Sequence, residues 1–275
     1  MGGRRAALYS AAVKIRPDLP TLVTGASSGI GREVALALGR RGCRVALVAR
    51  SAGALEELAA EVGGAGGEGL ALPADVGDEE QVAEVVARAA EAFGGLRLVV
   101  VCAGVGRYAP VEEQPAEHVE TTIGVNYGGL TRTVRHALPH LLAGAPSHVV
   151  AVTSSAGLIP HATASAYSAS KAAGNAYLAA LRLEVQGRGV GVSWVCPGLV
   201  ETPFLEAAGF ARERNLPRLS RWLVRPLGAD EVARAVVRAV ERDRREVVLP
   251  PMLAFFAAFR RIAPRFADWV HRVTG

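Results

Sequence analysis

Lysine is almost missing from this chain. Of 31 basic residues only Lys14 and Lys171 are lysines, and arginine serves everywhere else. Arginine is a planar fork that stays charged, whereas an ammonium is a compact charge whose pKa moves readily. Lys171 is therefore read for its chemistry before it is read as surface charge. Cysteine is also scarce: Cys43, Cys102 and Cys196 are scattered and show no Cys-x-x-Cys spacing. That excludes a disulfide scaffold or a zinc ribbon and makes a reducing cytoplasm the natural compartment. No apolar run reaches about 18 residues, which excludes a membrane-spanning helix. The first residues lack a secretory pattern, because a short apolar run is followed by Lys14, Arg16, Pro17 and Pro20. There is no basic platform interleaved with aromatics. The arginines are spread through Arg40, Arg41, Arg44, Arg212, Arg214, Arg244, Arg245 and Arg260, so the net charge of +5 and pI near 9.5 are read as solvated faces and not as a nucleic-acid footprint. His136 and His140 have i, i+4 spacing, but Pro139 lies between them and no further ligands accompany them, so no metal site is expected.

What is present is a regular alternation. The 275 residues, 50% of them hydrophobic and 21% charged, suit one large α/β domain. Strands are expected at 21–24, 44–49, 69–74, 96–102, 148–153, 191–195 and 246–249. Helices are expected at 30–41, 52–62, 79–93, 115–142, 165–188 and 229–242. Apolar strands without alternation, such as 98–101 and 148–152, are those of a sheet covered on both faces. The expectation is a doubly wound parallel sheet in three α/β/α layers, with ligands beyond the carboxyl ends of the strands. An N-terminal extension at 1–19 precedes a domain at 20–250, with an irregular segment at about 201–227 and a tail at 251–275.

The turn from the first strand to the first helix is Thr24-Gly25-Ala26-Ser27-Ser28-Gly29-Ile30-Gly31. Glycines there let the backbone approach a pyrophosphate while the helix N–H groups and dipole favour the anion. An NAD site usually follows with an acid on the ribose 2′-hydroxyl about 20 residues later. Here the second strand ends in Arg50-Ser51, and an arginine pairs with a 2′-phosphate, so NADP(H) is expected over NAD(H). Asp75, with Val76 beside it, ends the third strand, where a carboxylate suits an adenine amino group.

Tyr167-Ser-Ala-Ser-Lys171 sets a phenol and an ammonium at i and i+4, on one helix face. An adjacent cation favours the phenolate, and moving a tyrosine from about 10 to near neutrality takes about 4 kcal/mol of differential interaction. Tyr167 is thereby expected to act as a general acid/base with a pKa lowered by Lys171.

In order and spacing, the Thr-Gly-x-x-x-Gly-x-Gly turn, Asp75, Ala103-Gly104, Asn126, Ser154, Tyr167, Lys171 and Pro197-Gly198 resemble the single-domain form of the short-chain dehydrogenase/reductase family over residues 20–250. The resemblance implies a Rossmann-type fold in which Tyr167 transfers the proton and Lys171 supports it while holding the nicotinamide ribose. It also implies that Ser154, thirteen residues before Tyr167, orients the substrate carbonyl; Ser155 is offset by one from the family spacing. Asn126 matches the family asparagine that shapes the active-site helix and holds a water near Lys171. Pro197, Gly198 and Thr202 lie against the nicotinamide in the family. A homodimer or homotetramer is likewise implied. One departure stands out: Val101-Cys102 replaces the Asn-Asn that braces the sheet near the adenosine.

Phe204, Leu205, Phe210, Leu216, Leu219, Trp222 and Leu223 fall where the family has its substrate lid. A greasy lid favours an apolar ketone, aldehyde, 3-oxoacyl compound or steroid over a sugar, although the same residues would also serve to pack a helical pair on the sheet. His161, near the catalytic segment, stays an open question, because a loop position there could contact substrate. In the tail, Met252, Phe255, Phe256, Phe259, Ile262, Phe266, Trp269, Val270 and Val273 recur at near-helical spacing among Arg260, Arg261, Arg265 and Arg272. Three uses compete for this basic amphipathic segment: docking on its own or a neighbouring subunit, roofing the site, or lying in an anionic membrane surface. The leading function is an NADP(H)-dependent carbonyl reductase or alcohol dehydrogenase. An epimerase or dehydratase using the same machinery is a second enzyme reading, and an NADP-binding sensor or scaffold without turnover is the alternative from another class.

Overall fold

Each strand of the central sheet sends alternate side chains to opposite layers, and each layer is apolar. In a computed structural model that describes residues 12–210 and 225–266, Leu22 faces one core cluster and Val23 the other. Val45 and Leu47 likewise oppose Ala46 and Val48. Both faces must therefore be roofed by helices, as a parallel sheet requires.

The strands are β1 (Pro20–Thr24), β2 (Arg44–Ala49), β3 (Glu68–Pro73), β4 (Leu98–Val101), β5 (Ser147–Val152), β6 (Val190–Pro197) and β7 (Glu246–Leu249). Among the described residues these seven form one all-parallel sheet in the order β3-β2-β1-β4-β5-β6-β7. The helices are α1 (Gly29–Gly39), α2 (Ala52–Gly64), α3 (Glu79–Phe93), α4 (Ala116–Ile123), α5 (Gly129–Ala143), α6 (Ser165–Glu184), α7 (Pro203–Ala207), α8 (Ala229–Glu241) and α9 (Met252–Ile262). α1, α2 and α8 bury Val34, Leu38, Leu55, Leu58, Val232 and Val236 on one face. α3, α5 and α6 bury Val82, Val86, Leu130, Val134, Leu178 and Leu181 on the other. This is the expected doubly wound α/β/α arrangement. The chain order reverses between β1 and β4, and the crevice beyond their carboxyl ends is where such a sheet holds its ligand.

Local chemistry sets the ends of the elements. Asp78 caps α3 by accepting from Glu80 N and Gln81 N at 2.9 and 3.0 Å, and Gly94 closes it in the left-handed region. The first helix stops at Gly39, not Arg41, because the chain turns back through Gly42 at φ 76°. α6 stops at Glu184, not Arg188, because Gly187 and Gly189 take φ of 80° and 76° in the turn that leads into β6.

The single helix expected over 115–142 is corrected. A π-helical turn at Gly124–Gly128 divides α4 from α5. Its extra residue per turn swings Asn126 out of the helical stripe and into contact with two other segments, as described below. Such bulges recur at functional sites.

Leu216, Leu219, Trp222 and Leu223, with Arg212 and Arg214, lie outside the described residues, as do Trp269, Val270, Arg272 and Val273. Among the described residues no helix is long and apolar enough to cross a membrane.

Candidate active site

A cleft of about 480 Å³ opens where β1, β4, β5 and β6 end. That is the size of a small-molecule site. Gly25, Ser27, Ser28, Gly29, Ile30 and Gly31 form one end of it, with Arg50, Ser51, Asp75 and Val76 beside them. Ala103 and Thr202 lie against the glycine turn, and Gly104, Ser154, Tyr167, Lys171, Pro197 and Gly198 line the cleft as well.

The glycine turn is held by close contacts. Gly25 sits at φ 68°, and a Cβ there would lie 2.6 Å from Ala103 N. A Cβ on Gly31 would fall inside contact distance of the Gly25 carbonyl oxygen. Ser28 occupies the N-cap of α1 without making a side-chain cap bond, so the first N–H groups of that helix are open toward the cleft. Arg50 is exposed at the rim and takes no part in the ion pairs found among the described residues. Asp75 Oδ1 accepts from Gly77 N at 2.7 Å, which orients the carboxylate.

At the other end, α6 presents Tyr167 and Lys171 from its first two turns, and both are buried, with 8% and 6% of their surface exposed. Lys171 Nζ lies 5.7 Å from the Tyr167 ring centre and donates to Val152 O at 3.3 Å. Ser154 lies two residues beyond the end of β5 and accepts from Ala156 N at 3.1 Å. Ser155 also lines the cleft.

The expected direction of the tyrosine shift is corrected. Burial pushes the Tyr167 phenol up to about 12, and a hydrogen bond with the Ser154 side chain only partly opposes this. Burial also lowers the Lys171 ammonium to about 8. Both shifts have one cause, since withdrawing a group from water disfavours whichever form is charged. The i, i+4 proximity does not overcome that cost in this environment.

Asn126 stands apart from the cleft, behind it. Its Oδ1 accepts from Val105 N at 2.7 Å, and its Nδ2 donates to Val105 O at 2.8 Å and to Ser170 Oγ at 2.9 Å. Ser170 Oγ in turn donates to the Tyr167 carbonyl at 2.7 Å. The π turn, the loop after β4 and the start of α6 are thus fastened together by one amide. Asn126, Ser170 and Lys171 border a small cavity of about 10 Å³, close to the room one water needs.

Val101 and Cys102, where the family pattern has asparagines, behave as apolar residues. Val101 packs in the core beside Val99, and the Cys102 thiol is pushed up to about 12 by burial, so it is no nucleophile. His136 contacts Glu79, which also engages Arg132 and Arg135. His161 lines the cleft.

Several lining residues were not evident from sequence. Tyr108, Val105, Thr121, Val125 and Leu253 join Phe204, Leu205 and Phe210 around the cleft. The Tyr108 ring centre is 6.2 Å from that of Tyr167 and 5.2 Å from that of Phe210, and Phe204 lies 5.6 Å from Tyr167. A Cβ on Gly106 would come within 2.9 Å of Phe204 and 3.0 Å of Tyr167, so a side chain there would have to displace the Phe204 ring. Burial drives the Tyr108 phenol well above its usual range. The available signal was position: Tyr108 lies in the loop beyond the carboxyl end of β4, at the switch point of the sheet.

A family model described as short chain dehydrogenase matches residues 20–212. The probable oxidoreductase EphD of Mycobacterium tuberculosis is 31% identical over 260 residues, which is 90% of this chain and 44% of that protein. The glycine betaine reductase ATRR of Emericella nidulans is 40% identical over 184 residues, 67% of this chain and 14% of that protein. The chain thus spans less than half the length of these curated relatives. Among solved structures, an alcohol dehydrogenase of Thermococcus sibiricus complexed with 5-hydroxy-NADP aligns with TM-score 0.73 and 30% identity, covering 83% of this chain and 94% of that one. A short chain dehydrogenase of Burkholderia cenocepacia in complex with NADP aligns with TM-score 0.76 and 29% identity, covering 86% and 97%.

Proposed function

The chain belongs to the short-chain dehydrogenase/reductase family, and from that premise we propose that it transfers a hydride between NADP(H) and an apolar carbonyl compound or secondary alcohol. One observation carries the reading: buried Ser154, Tyr167 and Lys171 meet in a cleft whose far end is an open helix N-terminus beside Arg50. The residues at that far end fit a dinucleotide. The glycine turn leaves no room for side chains at Gly25 and Gly31, the α1 N–H groups suit a pyrophosphate, and Arg50 suits a 2′-phosphate. The NADP-type ligands of the Thermococcus sibiricus and Burkholderia cenocepacia structures support the same choice.

When bound, NADPH supplies the hydride that the carbonyl carbon receives. Tyr167 gives its hydroxyl proton to the carbonyl oxygen. Held at about 12 by burial, the phenol is fully protonated near neutral pH and so is loaded as a donor. Ser154 hydrogen-bonds the same oxygen and fixes the angle of approach. As the proton leaves, the Lys171 ammonium, which at about 8 is still mostly charged near pH 7, stabilises the tyrosinate. Reprotonation runs from the side of Lys171 and the small cavity bordered by Asn126 and Ser170. In the oxidative direction each transfer reverses.

Tyr108, Phe204, Leu205, Phe210 and Leu253 give the substrate end its apolar walls, which favour a lipid-like, steroid-like or 3-oxoacyl carbonyl over a sugar. NADPH oxidation against ketones and aldehydes graded from short and polar to long-chain and steroidal tests the reading. Turnover should rise with apolar length, and Tyr167→Phe should lower it by about a hundredfold or more while NADPH still binds. Unchanged turnover in Tyr167→Phe, or silence across the panel with NADPH bound, overturns it, and the latter favours a cofactor sensor.

A further inference from the structure

Tyr108 brings a further hydroxyl to the cleft beside Tyr167. The two ring centres are 6.2 Å apart, so both phenols border the same part of the cavity. The Tyr108 ring meets Phe210 edge-on, with 5.2 Å between centres, and packs against the buried cluster of Ala156, Ala164 and Tyr167. Its backbone is pinned on both sides. Tyr108 N donates to Ala208 O at 2.9 Å, just past α7, and Ala109 N donates to Thr163 O at 2.8 Å, just before α6. Gln114 Nε2 also donates to Ala109 O at 2.7 Å. A side chain held in this way is preorganised, and a ligand meets it without first having to order the loop.

The hydroxyl itself is unused. A tyrosine withdrawn from water usually finds a partner for its O–H. Among the described residues the Tyr108 hydroxyl makes no hydrogen bond, yet it is not sealed from solvent. The opening that its ring lines is the cleft, so a partner would come from there. Burial, with the neighbouring Tyr167 adding to the effect, holds the phenol protonated and therefore a donor.

The reacting carbonyl leaves no place for that donor. A carbonyl oxygen has two lone pairs, and in the proposed reaction Tyr167 and Ser154 take both. A third donor in the same part of the cleft is addressed to a different acceptor atom. A simple ketone offers none there, whereas a compound with a second oxygen beside the reacting carbonyl does.

We infer that the Tyr108 hydroxyl donates to a second oxygen of the substrate, close to the carbonyl that is reduced, and so selects a 1,3-dicarbonyl compound such as a 3-oxo ester over a simple ketone of equal length. The inference rests on the proposed reaction and narrows its substrate class.

The experiment compares ethyl acetoacetate with heptan-2-one, a chain of equal length in which two methylenes replace the ester carbonyl and oxygen. NADPH oxidation by the full-length protein and by Tyr108→Phe gives the ratio of kcat/KM for the two compounds. Phenylalanine keeps the ring, so a loss of packing strikes both compounds and cancels in the ratio. Loss of one neutral hydrogen bond should lower the ratio in favour of ethyl acetoacetate about fivefold. A ratio that stays the same overturns the inference, and a fall in NADPH affinity with the ratio unchanged assigns the phenol to the cofactor instead. Calorimetric binding of both compounds to the NADP+ complex gives a readout without turnover. Selective loss of ethyl acetoacetate binding in Tyr108→Phe, with no turnover by the wild type, keeps the contact and overturns the proposed reaction. Turnover that depends on Tyr167 but shows no selective effect of Tyr108→Phe keeps the reaction and overturns the contact. Neither binding nor turnover of either compound overturns both.

Discussion

Replacing Lys171 with methionine should make this protein more stable at neutral pH. Methionine matches the length of the lysine stem and carries no charge. Holding the ammonium at about 8 against its usual 10.5 by burial amounts to about 3 kcal/mol against the charged form. The lost hydrogen bond to Val152 O gives back about 1 kcal/mol, leaving a net gain of about 2 kcal/mol near pH 7. For a chain of this size that is about 5 °C in melting temperature. The pH dependence separates this cause from better packing. Above about 8 the folded lysine is neutral while the unfolded one stays charged up to 10.5, so wild-type stability from this group rises across that window. The advantage of the variant therefore shrinks over the same window and is about zero near pH 10, where the residual penalty and the lost hydrogen bond cancel. Urea denaturation of both proteins without nucleotide, at pH 7 and pH 10, measures it. A variant that is less stable at pH 7, or one whose advantage is the same at both pH values, refutes the reasoning. The variant should also lose turnover, because the stabilising cation is gone; the strain of burying it is part of the site.

Other positions give further expectations. Arg50→Ala should weaken NADPH about tenfold to a hundredfold and leave NADH nearly unchanged, as read by nucleotide fluorescence titration; equal loss for both would assign Arg50 to the scaffold. Gly31→Ala forces a Cβ against the Gly25 carbonyl and should cost about 1–3 kcal/mol together with nucleotide binding, checked by the urea midpoint; a wild-type midpoint would mean that the turn relaxes freely. Asn126→Leu leaves both polar groups of Val105 without their partner and should lower stability by about 3 kcal/mol, with kcat falling more than NADPH affinity. A drop in NADPH affinity equal to that in kcat would place Asn126 with the cofactor.

The glycine turn, Tyr167 and Lys171 were legible as short-range signals, glycine where a backbone must come close and two side chains at fixed spacing on one helix, whereas Ser154 came only from the family resemblance. Strands β2 and β7 and helix α3 were legible in full because their apolar periods end at turn residues or a capping acid. The π turn was not legible, since one extra residue barely disturbs the apolar period of a long helix. Tyr108 was not legible because its loop has no period. It reaches the cleft through pairings distant in sequence, Tyr108 N to Ala208 O and Ala109 N to Thr163 O. The direction of the Tyr167 shift was missed for a related reason: spacing shows which charge is near, but only the packed fold shows how much water is gone.

The clasp that Asn126 makes on both polar groups of Val105 sets a limit on remodelling the cleft. The loop after β4 supplies the Tyr108 wall of the cleft, so exchanging it is the direct route to a new substrate range. A graft that starts beyond Val105 inherits the anchored end and alters only the wall. One that begins at Gly104 or Val105 also unpins the helix that carries Tyr167, and so exchanges selectivity and chemistry together.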